Sequence, residues 1–338
     1  MGLNSSIDDY LGPAAERFFG EGFRRVHHAI RDVHTAMGVE GVFGVQGSAA
    51  LKYPEDWSTK PGKSELRPHL STIDAFLVSV ELIDLLLVQQ FGLDSAGRAD
   101  AWISAVDFRS GTAPLEDLRD VPVAAGVLRT VPGSGWAGGY VSTVESTVGP
   151  IKVLLTVHHS IRVLSARSVS IPCLDEVIGA SADRFYGEGY KHHRHRIGAL
   201  SFGEDRSATA RVEVTLGDGR DYPVDLGGAY RPSVSVLDCI IAQSQITQAL
   251  LYCLDDIDRA ESNTLWMRRV RIEAVTPYRP LGNAFESTTR VDKTRLLRIA
   301  DGVFRSTEFS GSFQGLTSRY SLAHQLPASV ADRVSDSV

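Results

Sequence analysis

The sequence predicts an α+β protein made of two tandem copies of one unit, each a single long buried helix wrapped by a curved antiparallel sheet. Three observations carry that reading. The stretch RFFGEGF at residues 17–23 returns as RFYGEGY at residues 184–190, with only Phe/Tyr exchanges between them. RPHLSTIDAFLVSVELIDLLL, residues 67–87, aligns with RPSVSVLDCIIAQSQITQALL, residues 231–251, and keeps Arg67/Arg231, Pro68/Pro232, Ser71/Ser235, Asp74/Asp238, Leu86/Leu250 and Leu87/Leu251. Later echoes follow in the same order: WISAVDF from Trp102 falls on WMRRVRI from Trp266. GPIKVLLTVHH from Gly149 then falls, with a slight gap, on GLTSRYSLAHQ from Gly315, setting His158 opposite His324. Collinear echoes at spacings of 167 and then 164 residues indicate an internal duplication. The units run from 1 to 165 and from 166 to 326, and the polar stretch 327–338 reads as a flexible tail.

Each unit repeats one order of elements. The Gly-Glu-Gly segment comes first. Glycines on both sides of an acid indicate a backbone that turns or approaches a neighbour closely, as in a hairpin or bulge, while Glu21 and Glu188 stand as candidate acids in a tight loop. A strand-like run follows, VEGVFGVQG in the first unit and ATARVEVTLGDGRDYPVDL in the second. The latter alternates Val212, Val214 and Leu216 before a hairpin signal at Gly217-Asp218-Gly219. The long helix begins after Ser71 and Ser235. Each serine precedes an acid by three residues, the capping-box pattern, with Pro68 and Pro232 upstream and Gly92 placed to close the first helix. Phe76, Leu77, Val80, Ile83, Leu86 and Leu87 make that helix apolar nearly all round, so it must be enclosed on most sides. The β-branched runs VPVAAGVLRTV, GYVSTVESTV and IKVLLTVHH complete the unit as strands.

With 338 residues, 43% apolar and 22% charged, the chain is long enough for two globular units with cores of their own. A formal net charge of −6 lacks the excess of cations that a general nucleic-acid grip needs. Cys173, Cys239 and Cys253 cannot all pair, which suits a reducing cytoplasmic compartment, and Cys239 and Cys253 read as core residues of the second helix. The N-terminal stretch shows no secretory signal. The run from Ile73 to Val88, broken by Asp74, Glu81 and Asp84, is too short and too charged to span a bilayer, so no membrane partner is expected. No Walker A, post-strand GxGxxG or HExxH motif is present, and no cofactor is expected. In KHHRHR, residues 191–196, a strand would put His193 and His195 on one face and His192 on the other. With no carboxylate or Cys nearby in sequence, these read as surface histidines or an anion patch, not a metal site.

SIDDYLGPAAERFFGEGF near the start, RPHLSTIDAFLVSVEL and the matching second-half segment resemble the avirulence protein D (AvrD) family, over nearly the whole chain short of the tail after Leu326. The element order is similar to the tandem, or double, hotdog fold. The resemblance implies syringolide-type chemistry, close in logic to the A-factor synthases: a condensing acyltransferase joins a β-ketoacyl thioester to a sugar or hydroxy-ketone and gives an acyl-sugar or butenolide-type secondary metabolite. The donor would be an acyl-CoA or acyl carrier protein thioester, the acceptor sugar-like and in some cases phosphorylated, and the fold leaves room for a homodimer. The alternatives are a hotdog dehydratase or thioesterase, and a non-catalytic acyl-ligand binding protein.

Such a transfer needs a proton-handling group and donors for the developing oxyanion, and the N-terminus of a buried helix supplies the donors. Asp74 and Asp238 stand where related dehydratase folds carry a catalytic Asp, and both also complete capping boxes, so a structural and a catalytic role are both open. His69 is the asymmetric position, because its counterpart is Ser233. Double hotdog dehydratases pair a His of one unit with an Asp of the other, which nominates His69 with Asp238, although the Gly and Pro that normally follow that His are missing here. Arg17 and Arg184 are candidates for a substrate phosphate or for pinning the Gly-Glu-Gly loop. The matched pairs His28/His195 and His158/His324, with Glu21 and Glu188, complete the substrate-binding candidates.

Overall fold

The structure, a computed structural model, describes residues 5–331 except 39–41, 61–65, 134–138, 218, 264, 300–301 and 329. Residues 39–41 of the first strand-like run, Asp218 of the expected turn and 332–338 of the expected tail lie outside the described residues. In chain order the elements are α1 (Ile7–Leu11), β1 (His27–Met37), β2 (Phe43–Lys52), α2 (Thr72–Gln89), α3 (Ser95–Ala99), β3 (Trp102–Arg109), β4 (Val121–Pro132), β5 (Gly139–Val148), β6 (Ile151–Ser160) and β7 (Val169–Ile171). There follow α4 (Leu174–Ile178), β8 (His193–Gly203), β9 (Ser207–Leu216), α5 (Val236–Asp255), β10 (Leu265–Ala274), β11 (Phe285–Ile299), β12 (Gly302–Phe313) and β13 (Leu316–Gln325).

Among the described residues the strands form one antiparallel sheet in the order β7-β1-β2-β4-β5-β6-β3-β10-β13-β12-β11-β9-β8. Leaving β7 aside, the second half of that order is the first half reversed. The halves join where β3 pairs with β10, and there Asp107 faces Arg271, a residue 164 positions on. The repeat therefore maps the junction onto itself, which is the signature of a pseudo-twofold axis. Irregularities of register are duplicated too. They fall between Ile103/Ala105 and Met267/Arg269, and between Val127/Arg129 and Val291/Lys293. Another pair lies in β1 and β8, where Asp32 and Ala199 both take left-handed backbone, with φ of 54° and 48°. Each bulge bends its strand and helps the sheet curl around its helix.

The two long helices start where the sequence places them. Ser71 and Ser235 are N-caps with complete capping boxes to Asp74 and Asp238. Helix α2 packs against β1, β2, β4, β5 and β6 and is buried almost throughout, as a helix apolar nearly all round must be. Its acids are paired: Asp84 meets Arg98 at 2.6 Å, both buried, and Glu81 meets Arg184 at 2.8 Å. Burial pushes the Asp84 carboxyl up to about 7, against the pull of Arg98. The helix ends at Gln89 with Gln90 as cap, and Gly92 lies two residues beyond it in left-handed backbone. No described helix is long and apolar enough to cross a membrane.

The leading segments are exchanged between halves. Helix α1 packs on α5 and β8, with Ser5 bonded both ways to Leu200, while α4 packs on α2 and β7 extends the sheet beside β1. Arg17 and Arg184 hold these segments: Arg17 binds Asp8 and the Gly12 carbonyl, and Arg184 binds Asp175, the Gly179 carbonyl and Glu81.

Three expectations change. The Gly-Glu-Gly segments are neither hairpins nor bulges but turns into the short 3-10 helices Gly22–Arg25 and Gly189–His192, with Phe23 stacked on its counterpart Tyr190. Their glycines answer to close approach: a Cβ on Gly22 would lie 2.0 Å from the Trp57 carbonyl oxygen, and one on Gly20 2.2 Å from that of Ala14. Beyond Gly217 no further strand precedes α5 among the described residues, so β9 pairs with β8 and β11 and the Gly-rich turn leads into a loop. Cys253 is exposed, since it lies on the outer side of the last turns of α5, whereas Cys239 is buried. Gly22→Ala should therefore cost about 1–3 kcal/mol, while Glu21→Gln, at an exposed side chain, should stay within about 0.5 kcal/mol. Urea unfolding of the two variants checks this, and the reverse ranking would show that the acid, not the glycine, holds the loop.

Candidate active site

Each of the two long helices carries at its N-terminus a buried carboxylate whose oxygens are all engaged. Asp74 Oδ2 accepts from the Ser71 amide (2.9 Å), the Ser71 hydroxyl (2.7 Å) and the Tyr53 hydroxyl, and Oδ1 accepts from His28 Nε2 at 2.8 Å. Asp238 Oδ2 accepts from the amide and hydroxyl of Ser235, both at 2.7 Å, while Oδ1 accepts from His193 Nδ1 (2.8 Å) and His195 Nε2 (2.7 Å). Burial alone would raise both acids. The histidines, helped by Tyr53 and Ser71 in the first case, outweigh it, holding Asp74 below its ordinary range and Asp238 well below. Burial lowers His195, against the pull of Asp238, and raises Tyr53 well above the usual phenol range.

His193 and His195 do share a strand face, but that face is inside. They are buried on Asp238 and are not surface histidines, because the carboxylate absent from their sequence neighbourhood arrives from α5. His69 and Asp238 share no contact among the described residues. His69 stands at the start of α2 with its ring edge-on to Trp57, 6.2 Å between centroids, and its Nδ1 is 3.5 Å from the Arg67 carbonyl oxygen.

His69 does face a cavity. A space of about 450 Å³ lies between the N-terminal end of α2 and the second half of α5, walled by His69, Ser71, Thr72, Trp57 and Leu115 on one side and by Gln248, Tyr252 and Trp266 on the other. That volume is within the range of small-molecule sites. Ser71 takes the Asp74 amide on its hydroxyl and the Ala75 amide on its carbonyl, so the amides of Thr72 and Ile73 stand at the helix end without intrahelical partners.

The equivalent position in the other half is closed. Ser235, Val236, Ser233 and Trp102 surround only about 30 Å³. Leu115 accepts from the Leu70 amide at 2.9 Å, just as Arg279 accepts from the Val234 amide at 2.8 Å. Arg279 thus stands where Leu115 lines the open cavity, and it turns its guanidinium onto the Val234 and Thr276 carbonyls. Arg231 lies 3.4 Å over the Phe185 ring, while its counterpart Arg67 is 83% exposed.

Of the remaining candidates, Arg17 touches the cavity but is spent on Asp8 and Gly12. Arg184, Glu21, Glu188, His28, His195, His158 and His324 are not among its walls. Glu21 is exposed and Glu188 pairs with Lys191. His158 stacks on Trp102, 4.3 Å between centroids, and burial lowers its pKa. Its pairing with His324 in the repeat is corrected by register: Tyr140 faces His159 as Arg305 faces His324, so the buried His159 is the counterpart. Tyr53, His193 and Tyr252 were missed. The i,i+2 histidines beside a capped acid were the available signal for His193, and Tyr53 and Tyr252 had none.

Two copies of a helix enclosed by a curved antiparallel sheet, joined edge to edge, define a double-hotdog protein. Within that class the chain belongs to the Pseudomonas avirulence D protein (AvrD) family, whose sequence model matches residues 2–327. No curated protein matches it. Solved structures similar in fold include the 12:0-ACP thioesterase of Umbellularia californica, at 13% identity over 83% of this chain and 94% of that one, TM-score 0.42. A double-hotdog protein of Mycobacterium tuberculosis is similar at 12% identity over 79% and 84%, TM-score 0.40. A hot dog fold protein of Alicyclobacillus acidocaldarius is similar at 12% over 87% and 97%, TM-score 0.38.

The depressed acids tie stability to pH. An acid whose folded pKa is lowered adds stability that is present above its unfolded value of about 3.9 and is lost as pH falls through the folded value. Asp238→Asn should cost about 1.5–3 kcal/mol at neutral pH and flatten the loss of stability in acid, more than Asp74→Asn does. Urea titrations at several pH values measure both slopes, and an unchanged acid slope in Asp238→Asn would show that the charge is not what holds the cluster.

Proposed function

We propose that the chain is a condensing acyltransferase that accepts a β-ketoacyl thioester, from coenzyme A or a carrier protein, in the cavity beside His69 and transfers the acyl group to a sugar-like hydroxyl. The observation that carries the reading is the asymmetry between the repeats. Both helices are needed for the fold, yet one helix end opens on a cavity while the other is plugged by Arg279 and Arg231. In this reading the thioester carbonyl lies at the N-terminus of α2, where the amides of Thr72 and Ile73 and the helix dipole stabilise the oxyanion. The acyl chain runs along the apolar wall. His69, at the same end, hands a proton to the departing thiolate. Membership of the AvrD family supports an acyl-sugar or butenolide-type product.

Thiol release and product mass from a β-ketoacyl thioester, incubated with and without a panel of ketoses, test this. An acyl-sugar adduct is the expected result; free acid formed equally without ketose would make the protein a thioesterase and end the condensation reading. His69→Ala should lower turnover by about 10²–10⁴ with the fold intact, the usual worth of a positioned acid or base. Leu115→Arg, which installs the closed half's plug, should abolish binding of an acyl thioether analogue by calorimetry while the circular dichroism spectrum is kept. Full binding by that variant would place the acyl chain elsewhere.

A further inference from the structure

The cavity beside His69 carries charge that the proposed function has not used. Five of its described wall residues are cations, Arg17, Lys60, Arg67, Arg259 and Arg268, against one carboxylate, Glu116. Three of the five are turned to the protein. Arg17 binds Asp8 and the Gly12 carbonyl, Lys60 donates to the Ser262 carbonyl at 3.1 Å, and Arg259 to that of Glu16 at 3.0 Å. Arg67 and Arg268 are exposed, so they stand where the cavity opens to solvent. The segment 110–116 between β3 and β4 ties both to one rim: Arg268 donates to the Gly111 carbonyl at 3.4 Å, and Arg67 Nη1 is 3.5 Å from Glu116 Oε2.

The repeat shows that the sheet does not require this rim. Arg268 is the extra residue of the β10 bulge, passed over between Met267 and Arg269 in the pairing with β13, and a bulge re-aims its side chain. The matching bulge in β3 is built on Ser104, whose hydroxyl stays with its own sheet, 3.4 Å from the Thr156 carbonyl oxygen and 3.0 Å from His158 Nε2. Arg67 has an arginine as its counterpart, but Arg231 folds inward over Phe185. The contact of Arg67 with Glu116 joins side chains that are 83% and 49% exposed, so it contributes little and an incoming anion displaces it easily.

We infer that Arg67 and Arg268 form a subsite for the phosphate of the donor's 4′-phosphopantetheine arm. The inference rests on the acyl-transfer reading above. In coenzyme A and on a carrier protein alike, the thiol ends an uncharged pantetheine chain whose other end is a phosphate. With the thioester carbonyl at the N-terminus of α2, that chain leaves through the mouth of the cavity, and the first charge it presents is the phosphate. Two guanidinium groups suit it, because their planar forks donate paired hydrogen bonds to phosphate oxygens. The subsite acts on binding of the donor and makes no contact with the reacting carbonyl.

The test uses the full chain, a ketose and one β-ketoacyl group carried on pantetheine, on 4′-phosphopantetheine, on coenzyme A and on a carrier protein. In the unsubstituted chain phosphopantetheine should exceed pantetheine in kcat/KM by about 10-fold, chiefly through KM, and added salt should shrink the gain. Arg67→Gln combined with Arg268→Ser, the latter the residue the β3 bulge already carries, should abolish most of that gain. The coenzyme A and carrier thioesters should lose by a similar factor, and the lower KM of the two names the source of the arm. Equal use of pantetheine and phosphopantetheine by the unsubstituted chain, or a gain that survives in the double variant, overturns the subsite and leaves the acyl-transfer reading standing. A loss confined to coenzyme A also overturns it, because the rim would then hold the nucleotide's phosphates, and a loss confined to the carrier does so by making the rim a protein-docking face. Absence of thiol release from every donor, with ketose and with water, overturns both. If the double variant does not fold, Arg268→Ser alone decides.

Discussion

The rest of the structure hangs on the buried carboxylate at the start of each long helix. The cap residue of a helix buried along its length cannot leave its own amide unpaired, and Asp74 and Asp238 satisfy it through one oxygen. That leaves a second oxygen charged and buried, which demands a donor from outside the helix. His28 of β1 and the His193–His195 pair of β8 supply it. The outer strand of each half is thereby fixed to the helix end, and the bulges at Asp32 and Ala199 let those strands curl past it. Asp74 and Asp238 are thus hubs of the fold. With their lone pairs engaged they are poor candidates for proton transfer, which moves the search for chemistry to the groups that face the cavity.

Local physics made the long helices legible: the serine-to-acid spacing, the upstream prolines and the nearly all-round apolar surface of α2 each specify a feature that neighbours in sequence decide. The duplication was legible because closely similar segments recur in one order. Less could be read where contacts are made across the chain. Nothing near Arg17 shows that it binds Asp8 to hold α1 against the other half, and nothing near Asp84 announces Arg98. The glycines of the Gly-Glu-Gly loop answer to the Trp57 and Ala14 carbonyls, of which Trp57 is remote in sequence. His158 was set opposite His324 by a one-residue slip, and in a strand such a slip exchanges inside for outside.

The candidate site was partly legible for the same reason. His69 stood out because its counterpart is a serine, and it does face the cavity. Pairing it with Asp238 failed because strand β8 of the acid's own half supplies two imidazoles, and a carboxylate oxygen shared by both has no room for a third. The cavity itself was hidden, since its presence depends on whether an arginine folds inward. Arg67 and Arg231 are identical in the repeat, yet one reaches solvent and the other stacks on Phe185. What differs is the wall beside them: Leu115 leaves space where Arg279 fills it.

A duplicated fold offers an internal control that a single domain lacks. Features present in both halves, such as the capped acids, the bulges and the arginine clamps on the leading segments, are those the architecture needs whichever half is considered. Features present once must be explained by something other than folding. The open cavity and His69 belong to this second group, although the cavity's walls come from both halves of the sequence. The first half buries its own histidine among polar partners, His159 with Ser142 and Thr130, as the second half buries His324, so a buried imidazole at this register belongs to the architecture, and the asymmetry that calls for another explanation is the cavity at the N-terminal end of α2.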